Sequence, residues 1–413
     1  MSLLRPSLLS LTLSAVLVGC GQETPPPKVA DVSFQKDLQL KLIQAKPGDV
    51  IELPAGHFTL DRSLSLNIDK VTVRGAGMDK TVLSFKGQVQ GAEGLVVNAD
   101  DTVLENFAIE DSKGDGIKVN ECKGVTMRGL RVEWTNGPDE HNGSYGLYPV
   151  QCENVLIENS VVKAASDAGI YVGQSKNIVV RNNRAEFNVA GIEIENSRDA
   201  DVYGNTVTNN TGGILVFNLP DLPIKDGRRT RVFDNNVHDN NTRNFAPKGN
   251  TVAVTPAGTG LMVLANDQVE LFNNKVENHK TVNALVVSYA VTGFPIKDKE
   301  FDAWPEAVYI HDNQFGAGGD SPDNVELKAL RIAKFGLNGR LPDIIWDGSA
   351  KPGSSNPVLC LKNNGSAGFA NIDYANNAAN LTTDTKPYEC EMPPLAAVTW
   401  PGLSPAPAQV AGR

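Results

Sequence analysis

The chain has 413 residues, a net charge of −10 and 41% hydrophobic residues. It has no concentrated run of Lys and Arg, so its composition argues against a nucleic-acid partner, which requires a basic surface. No group of Cys and His residues has the spacing of a zinc site. We therefore assign no metal ligand from the sequence, although an acidic chain is compatible with Ca²⁺.

The first twenty residues form an apolar run interrupted by a single basic residue, Arg5. A short N-terminal run of this kind is typical of a secretory signal peptide (1–19). It ends in Leu17-Val18-Gly19-Cys20, which resembles a bacterial lipobox and implies lipidation of Cys20 after cleavage. The residue after Cys20 is Gly21. In the lipoprotein pattern an Asp at this position would favour the inner membrane, so Gly21 implies the outer membrane. We therefore expect an exported, lipid-anchored protein of the cell envelope.

A Pro-rich tether, 20–33, precedes an amphipathic helix predicted at Phe34–Ala45. Its apolar residues Phe34, Leu38 and Leu42 share one face. We expect the helix to cap the first turn of the structure that follows, because the open end of a repeat structure needs a cover.

The central part of the chain is a repeat of the unit Gly-aliphatic-x-aliphatic. The unit begins at Gly146, Gly169, Gly191 and Gly213, so the spacings are 23, 22 and 22 residues. Each period contains short β-rich runs and Asn- and Gly-rich turns, without a helical stripe. A strand that has no pairing partner within its own repeat pairs with its copy in the next repeat. The sequence thus predicts an all-β fold, a right-handed parallel β-helix of about ten turns over 34–326.

Beyond Glu326 the repeat fades, and we expect an irregular C-terminal cover over 327–393 and a disordered tail over 394–413. An exported chain lies in an oxidising compartment, so we expect Cys360 and Cys390 to form a disulfide. Cys122 and Cys152 occupy a column of small interior residues, and the sequence leaves their bonding open. A second column predicts an interior amide ladder of Asn183, Asn205, Asn235, Asn274 and Asn313.

Four insertions flank one strand column of the repeat: 134–145, 218–230, 241–259 and 291–304. Insertions in repeat proteins surround the binding face, so the outward face of this sheet is the expected floor of a groove. In the repeat unit the aliphatic residues point inward and x points outward. The successive x residues are Lys118, Tyr148, Tyr171, Glu193, Leu215, Met262 and Val286.

Such a floor predicts a polysaccharide partner, because tyrosine faces stack on sugar rings and carboxylates and amides bind hydroxyl groups. A Tyr or Lys can remove the proton beside a uronate carboxylate, and paired carboxylates can hydrolyse a glycosidic bond. The candidate catalytic residues are Lys118, His141, Tyr148, Glu193 and Glu195. The candidate substrate-binding residues, near Asp115 and the strand ends, are Tyr145, Gln151, Asp167, Tyr171, Gln174 and Asn196.

The turns GLYPVQ, SDAGIYVGQS, NVAGIEIENS and NTGGILVFNLP resemble those of bacterial right-handed parallel β-helix repeat lipoproteins, over residues 34–393. The resemblance implies the pectin-lyase-like superfold but supplies no catalytic residue. The Asp-Pro-His-Asp motif of mannuronan epimerases and the Asp clusters of polygalacturonases are absent here.

Two functions follow from these observations. One is an exported enzyme that acts on a polysaccharide by lyase, epimerase or hydrolase chemistry. The other is a non-catalytic module that binds a glycan or an envelope protein. The apolar part of the expected floor, at Leu215, Met262 and Val286, favours a protein or lipid partner.

Overall fold

The computed structural model describes residues 30–354 and 357–403. The chain begins with helix α1 (Val32–Gln44), whose N-cap Asp31 accepts a hydrogen bond from the backbone N–H of Phe34. Leu38 and Leu42 are buried against the first turn, which confirms the predicted cap helix. Among the described residues no helix is both long and apolar enough to cross a membrane. The signal peptide and Cys20 lie outside the described residues.

Three parallel sheets form a β-helix, in which each strand pairs with the strand three positions later in the chain, except that Ile344–Trp346 pairs with Phe369–Asn371, two positions later. Sheet 1 contains Val50–Glu52, Thr72–Arg74, Thr102–Glu105, Val125–Arg128, Glu153–Glu158, Lys176–Arg181, Arg198–Tyr203, Arg228–Phe233, Asp267–Phe272, Glu306–His311 and Leu359–Lys362. Sheet 2 contains Gly56–Thr59, Thr81–Ser84, Ala108–Glu110, Arg131–Glu133, Val161–Lys163, Arg184–Glu186, Thr206–Thr208, Asn236–His238, Lys275–Glu277 and Gln314–Phe315. Sheet 3 contains Arg62–Leu66, Gln90–Val97, Ile117–Asn120, Tyr145–Val150, Ala168–Gly173, Ala190–Glu195, Gly212–Phe217, Thr259–Leu264, Val282–Val287, Ile344–Trp346 and Phe369–Asn371.

Short helices lie outside these sheets. Helix α2 (Val325–Leu330) continues into a π-helical turn at Arg331–Phe335. Single 3₁₀ turns occur at Thr251–Val254, Tyr289–Thr292, Tyr374–Asn376 and Lys386–Tyr388.

The predicted amide ladder is present inside the β-helix. The side-chain oxygen of Asn205 accepts hydrogen bonds from both the backbone N–H and the Nδ2 of Asn183, at 2.9 and 3.1 Å. The same pattern continues along the column and reaches Asn364, one member further than predicted. A second ladder, which the sequence reading missed, contains Asn188, Asn210 and Asn240 and ends on His279.

Both cysteine pairs are bonded. The Cys360–Cys390 disulfide confirms the prediction, and the Cys122–Cys152 disulfide resolves the pair that the sequence left open. The backbone N–H of Cys152 donates to Ser175 Oγ at 2.9 Å, so the column of small interior residues continues beyond the disulfide.

The C-terminal region differs from the prediction in two ways. The β-helix does not end at Glu326, because three later strands stack on it and bring sheets 1 and 3 to eleven strands, about one turn more than expected. Residues 394–403 also pack across sheet 1, where the backbone N–H of Val398 donates to Asp201 Oδ2 at 3.1 Å. Val398 contacts Leu156 and Val179, which supplies the apolar burial that the composition did not reveal. Residues 404–413 lie outside the described residues.

Candidate functional site

The outer face of sheet 3 carries the predicted polar and aromatic residues in register. Tyr148 is opposite Lys118, and Tyr171 is opposite Glu193. The alternation therefore predicted these outward positions correctly. It was wrong for Val286, which pairs with Val263 and belongs to the interior core. Leu285 faces outward instead, because this turn is shifted by one residue from the Gly-based alignment.

The apolar half of the expected floor is covered by the chain itself. Leu215, Met262 and Leu285 are buried in a second hydrophobic cluster. The insertions 241–259 and 291–304 provide part of its other side with Val252 and Phe301, and Tyr289 and Leu341, which lie outside the insertions, provide more of it. The insertions are thus a cover packed on the sheet, rather than walls of an open groove. This burial removes the argument that an exposed apolar floor favours a protein or lipid partner.

Three tyrosines form an aromatic cluster beside this cover. The ring centroid of Tyr145 lies 4.5 Å from those of both Tyr148 and Tyr171. Tyr148 meets Tyr171 edge-on, with centroids 5.0 Å apart and an interplanar angle of 84°, an arrangement that ring quadrupoles favour. Lys118 Nζ lies 5.0 Å from the Tyr148 centroid. Lys118, Tyr145 and Tyr148 are partly exposed whereas Tyr171 is buried.

Three carboxyl groups lie deeper, where Asp167, Glu193 and Glu195 are only 5%, 3% and 8% exposed. The Tyr171 hydroxyl donates to Glu195 Oε1 at 2.6 Å. Asn250, in the insertion 241–259, donates from Nδ2 to Asp167 Oδ2 at 3.0 Å. Glu193 Oε2 is buried and accepts no hydrogen bond from a donor group. The carboxyl group of Glu193 as a whole is nevertheless hydrogen-bonded to the carboxyl group of Glu195.

Burial raises the pKa of all three carboxyls, because the charged form loses its hydration. For Asp167, burial and then the charge of Glu195 raise the pKa to about 8, against the hydrogen bond from Asn250. For Glu195, burial raises the pKa to about 7, while hydrogen bonds with Tyr171 and Glu193 lower it. Burial and then Asp167 raise the pKa of Glu193 well above its usual range. Burial therefore favours the uncharged, protonated form of these carboxyls, Glu193 among them.

The solvent-accessible edge of the cluster, formed by Asp115, Lys118 and Tyr148, differs from the buried carboxyls in its charges. Burial raises the pKa of Asp115 to about 6, and the positive charge of Lys118 opposes this rise. Asp115 also accepts a hydrogen bond from the backbone N–H of Tyr145 at 3.2 Å. Burial, followed by the charge of Asp115, raises the pKa of Tyr148 to about 12. At neutral pH this edge therefore presents a carboxylate, an ammonium group and a protonated phenol.

Gly173 makes the Tyr171–Glu195 contact sterically possible. It is opposite Glu195 in the sheet, and a Cβ at this position would lie 2.2 Å from the Tyr171 hydroxyl oxygen. Any side chain here would displace the phenol. Sequence reasoning missed Gly173, although a glycine two residues after an outward tyrosine was a usable signal. It also missed Asn250, whose non-repetitive loop gave none.

Three predicted site residues do not join the cluster. His141 is on an exposed loop with 85% of its side chain accessible, and its Nδ1 lies 2.8 Å from Asp139 Oδ1. Gln151 lines a separate polar cavity of about 490 Å³ at the corner between sheets 3 and 1. Asn196 is fully buried, and its amide bonds the backbone of Leu219 and Ile224, so it holds an insertion in place.

Gln174 follows the strand Ala168–Gly173 and is buried; its backbone N–H donates to the carbonyl oxygen of Glu195 at 2.9 Å, and its Oε1 has no hydrogen-bond partner. Elsewhere in the described ranges, Asp267, Asp302 and Glu306 are close enough together to hold a cation. Lys351 already forms ion pairs with two of them, so its ammonium group takes the place that a metal ion would fill. A role for Ca²⁺ stays a prediction.

Comparison with known proteins places this geometry in a family. The profile described as "Right handed beta helix region" matches residues 59–222 and 140–315, which together span more than half of the chain. The chain belongs to this family. A search of curated protein sequences finds no significant match.

Solved structures share the fold. The A-module of mannuronan C-5 epimerase AlgE4 from Azotobacter vinelandii has a TM-score of 0.50 and 17% identity, over 77% of this chain and 86% of that one. An alginate lyase from Paenibacillus sp. str. FPU-7 has a TM-score of 0.47 and 16% identity, over 68% and 95%. A DFA-IIIase from Arthrobacter chlorophenolicus A6 has a TM-score of 0.43 and 12% identity, over 73% and 88%. At these identities the likeness shows the fold alone.

Proposed function

We propose that the protein acts on an acidic polysaccharide by proton transfer beside a uronate carboxylate, at the edge formed by Asp115, Lys118, Tyr145 and Tyr148. The observation that carries the proposal is the position of Lys118 beside Tyr148 at an edge that solvent reaches. The names of the AlgE4 module and the Paenibacillus lyase are consistent with this substrate class.

Each group at this edge has a suitable chemical role. The ammonium of Lys118 pairs with the uronate carboxylate, which favours loss of the proton on the adjacent carbon. Asp115, ionised above about pH 6, accepts that proton. Tyr148, with its pKa raised to about 12, remains protonated and acts as the donor. The partly exposed ring of Tyr145 offers a surface for a sugar ring.

Two reactions are compatible with these roles, and in both of them every bond and proton is accounted for. In elimination, the proton on C5 moves to Asp115, the C4–O4 bond breaks, a C4–C5 double bond forms and Tyr148 protonates the departing oxygen. In epimerisation, Tyr148 instead returns a proton to C5 from the opposite face. Neither outcome requires an oxidant or a second substrate.

Hydrolysis by Glu193 and Glu195 is less well supported. Glycosidase carboxyls flank the scissile bond, at separations of about 5–9.5 Å. Here the two carboxyls are hydrogen-bonded to each other beneath the tyrosines, which leaves no room for a sugar between them. They are also almost completely buried.

The second candidate function is a non-catalytic glycan-binding module. The burial of the carboxyl groups favours it, because such groups reach no ligand in the described arrangement. In that case Tyr145, Tyr148 and Lys118 would contribute only affinity. Loss of one of them would weaken binding without removing any chemical step.

The deciding experiment uses a soluble form that begins at Gly21, incubated with alginate, pectate and other polyuronates in heavy water, with and without Ca²⁺. Deuterium at C5 or a new unsaturated end group, followed by NMR, supports proton transfer. Tyr148→Phe and Lys118→Ala should abolish it, while the exposed control Tyr374→Phe should not. Binding without either product would favour the glycan-binding module, and neither binding nor product would refute both functions.

We also propose that Cys20 anchors the protein to the outer membrane. The support is the lipobox-like sequence and the signal peptide before it. Metabolic labelling with a radioactive fatty acid should mark the wild-type protein and not Cys20→Ser, and membrane fractionation should place it with outer-membrane markers. Labelling that persists in Cys20→Ser would contradict the assignment.

A further inference from the structure

We propose that Glu193, Glu195 and Tyr171 form a buried buttress that fixes the orientation of Tyr148, with Gly173 providing the space for it. These residues are then positioning residues, since none of them needs to touch the substrate. The inference rests on the proposed function for its catalytic consequence, but the buttress itself is a structural claim that can be tested without any substrate.

A continuous series of contacts connects the buried carboxyls with Tyr148. The side chains of Glu193 and Glu195 are hydrogen-bonded to each other, and the Tyr171 hydroxyl donates to Glu195 Oε1 at 2.6 Å. The edge-on contact between Tyr171 and Tyr148, at 84° and 5.0 Å, then passes this constraint to the Tyr148 ring. Tyr145 completes the cluster, with its centroid 4.5 Å from both rings. One carboxylate thus lies only two contacts from the proposed proton donor.

The phenol of Tyr171 runs along its own strand toward Glu195, which is opposite Gly173 on the next strand. It passes over Gly173, where a Cβ would lie 2.2 Å from the hydroxyl oxygen. The ring of Tyr171 is already buried in the hydrophobic cluster, so burial alone does not require its hydroxyl to point over Gly173 toward Glu195. The absence of a side chain at Gly173 and the carboxylate at the matching position of the next strand therefore belong to one arrangement.

The protonation state of the pair determines whether the buttress holds. The charged and titratable groups that face it on sheet 3 are Asp167, Tyr145, Tyr148 and Tyr171, and the covering insertion contributes the neutral amide of Asn250. With one shared proton, Glu193 and Glu195 carry a single negative charge, which the Tyr171 hydroxyl stabilises. Loss of that proton places two like charges together in a buried site. We therefore expect the buttress to loosen as the pH rises, which gives activity an alkaline limit.

The test compares Glu195→Ala, Glu195→Gln and Gly173→Ala with Glu186→Ala, which removes a similarly buried carboxylate from sheet 2. The first readout is near-UV circular dichroism of the tyrosines, which needs no substrate. Glu195→Ala and Gly173→Ala should change this spectrum, whereas Glu195→Gln, which keeps an oxygen acceptor for Tyr171, should preserve it. An unchanged spectrum in Glu195→Ala refutes the buttress.

The second readout is kinetic, on whichever polyuronate the wild-type protein converts. A displaced donor lowers kcat by about 10- to 100-fold with little change in KM, and Glu195→Gln should recover most of the loss and shift the alkaline limit. If Glu195→Ala keeps the wild-type kcat and pH profile, the positioning role is wrong although the proposed function stands. If the wild-type protein converts no polymer, the proposed function fails, and the spectra alone decide whether the buttress exists.

Discussion

The interior amide ladder gives a sharp prediction about stability. Asn205 makes four side-chain hydrogen bonds. Its oxygen accepts from the N–H and Nδ2 of Asn183, and its Nδ2 donates to Val180 O and Asn235 Oδ1, both at 3.0 Å. Asn205→Ala removes all four within a column where Asn183, Asn205 and Asn235 are at most 2% exposed.

The magnitude follows from the donors that lose their acceptor. The backbone N–H and the Nδ2 of Asn183 are both left buried without the Asn205 oxygen. An unsatisfied buried donor costs about 1–3 kcal/mol, so the two together destabilise the fold by roughly 4 kcal/mol. The unfolding entropy of a chain of this length is about 0.8 kcal/mol per degree, so the melting temperature should fall by about 5 °C.

The matched control is Asn98→Ala. Asn98 also bonds two asparagines, Asn67 and Asn120, at 2.9 Å each, but on the exposed surface, where water replaces the lost partners. We expect a change below about 0.5 kcal/mol. Urea unfolding followed by circular dichroism measures both variants. Equal losses of stability would refute the reasoning that burial of the ladder makes it stabilising.

Three further predictions concern charge and cross-linking. The stability of the wild-type protein should fall as the pH rises from about 4 to 8, because folded Asp167, with its pKa raised to about 8, keeps a proton that the unfolded chain loses. The urea midpoint should therefore decline less steeply with pH in Asp167→Asn than in the wild-type protein. Identical slopes in the two proteins would contradict this prediction. Lys118→Ala should raise the pKa of Asp115 above about 6, because it removes the ammonium charge that opposes the effect of burial. NMR titration of the Asp115 carboxyl tests this, and an unchanged pKa would show that Lys118 and Asp115 do not interact. Cys390→Ser opens the loop closed with Cys360 over a separation of 30 residues and should lower the free energy of unfolding by about 3–4 kcal/mol. A fully reduced wild-type protein also loses the Cys122–Cys152 bond, so it should unfold at a lower urea concentration than the variant, and a variant as stable as the oxidised wild-type protein would contradict the prediction.

The sequence predicted the β-helix because its signals are local and repeat in every turn. The period near 22 residues fixes which strands pair, and the alternation within a strand fixes which side chains point outward. Lys118, Tyr148, Tyr171 and Glu193 were therefore placed on one face correctly. The amide ladder followed from the same register. The one-residue error at Val286 arose where the repeat glycine is missing, so that the alignment lost its marker.

The environment of those side chains depended on contacts that no local pattern encodes. Asn250 reaches Asp167 across 83 residues of chain, and the insertion that carries it closes over carboxyls that the sequence placed on an open floor. His141 was predicted as a candidate catalytic residue and instead lies on an exposed loop, with its Nδ1 2.8 Å from Asp139 Oδ1. Alternation within a strand determines the direction of a side chain, because it depends only on the backbone. Burial, and with it the pKa of Glu193 and Glu195, depends on where non-repetitive loops pack, and only the tertiary structure decided that.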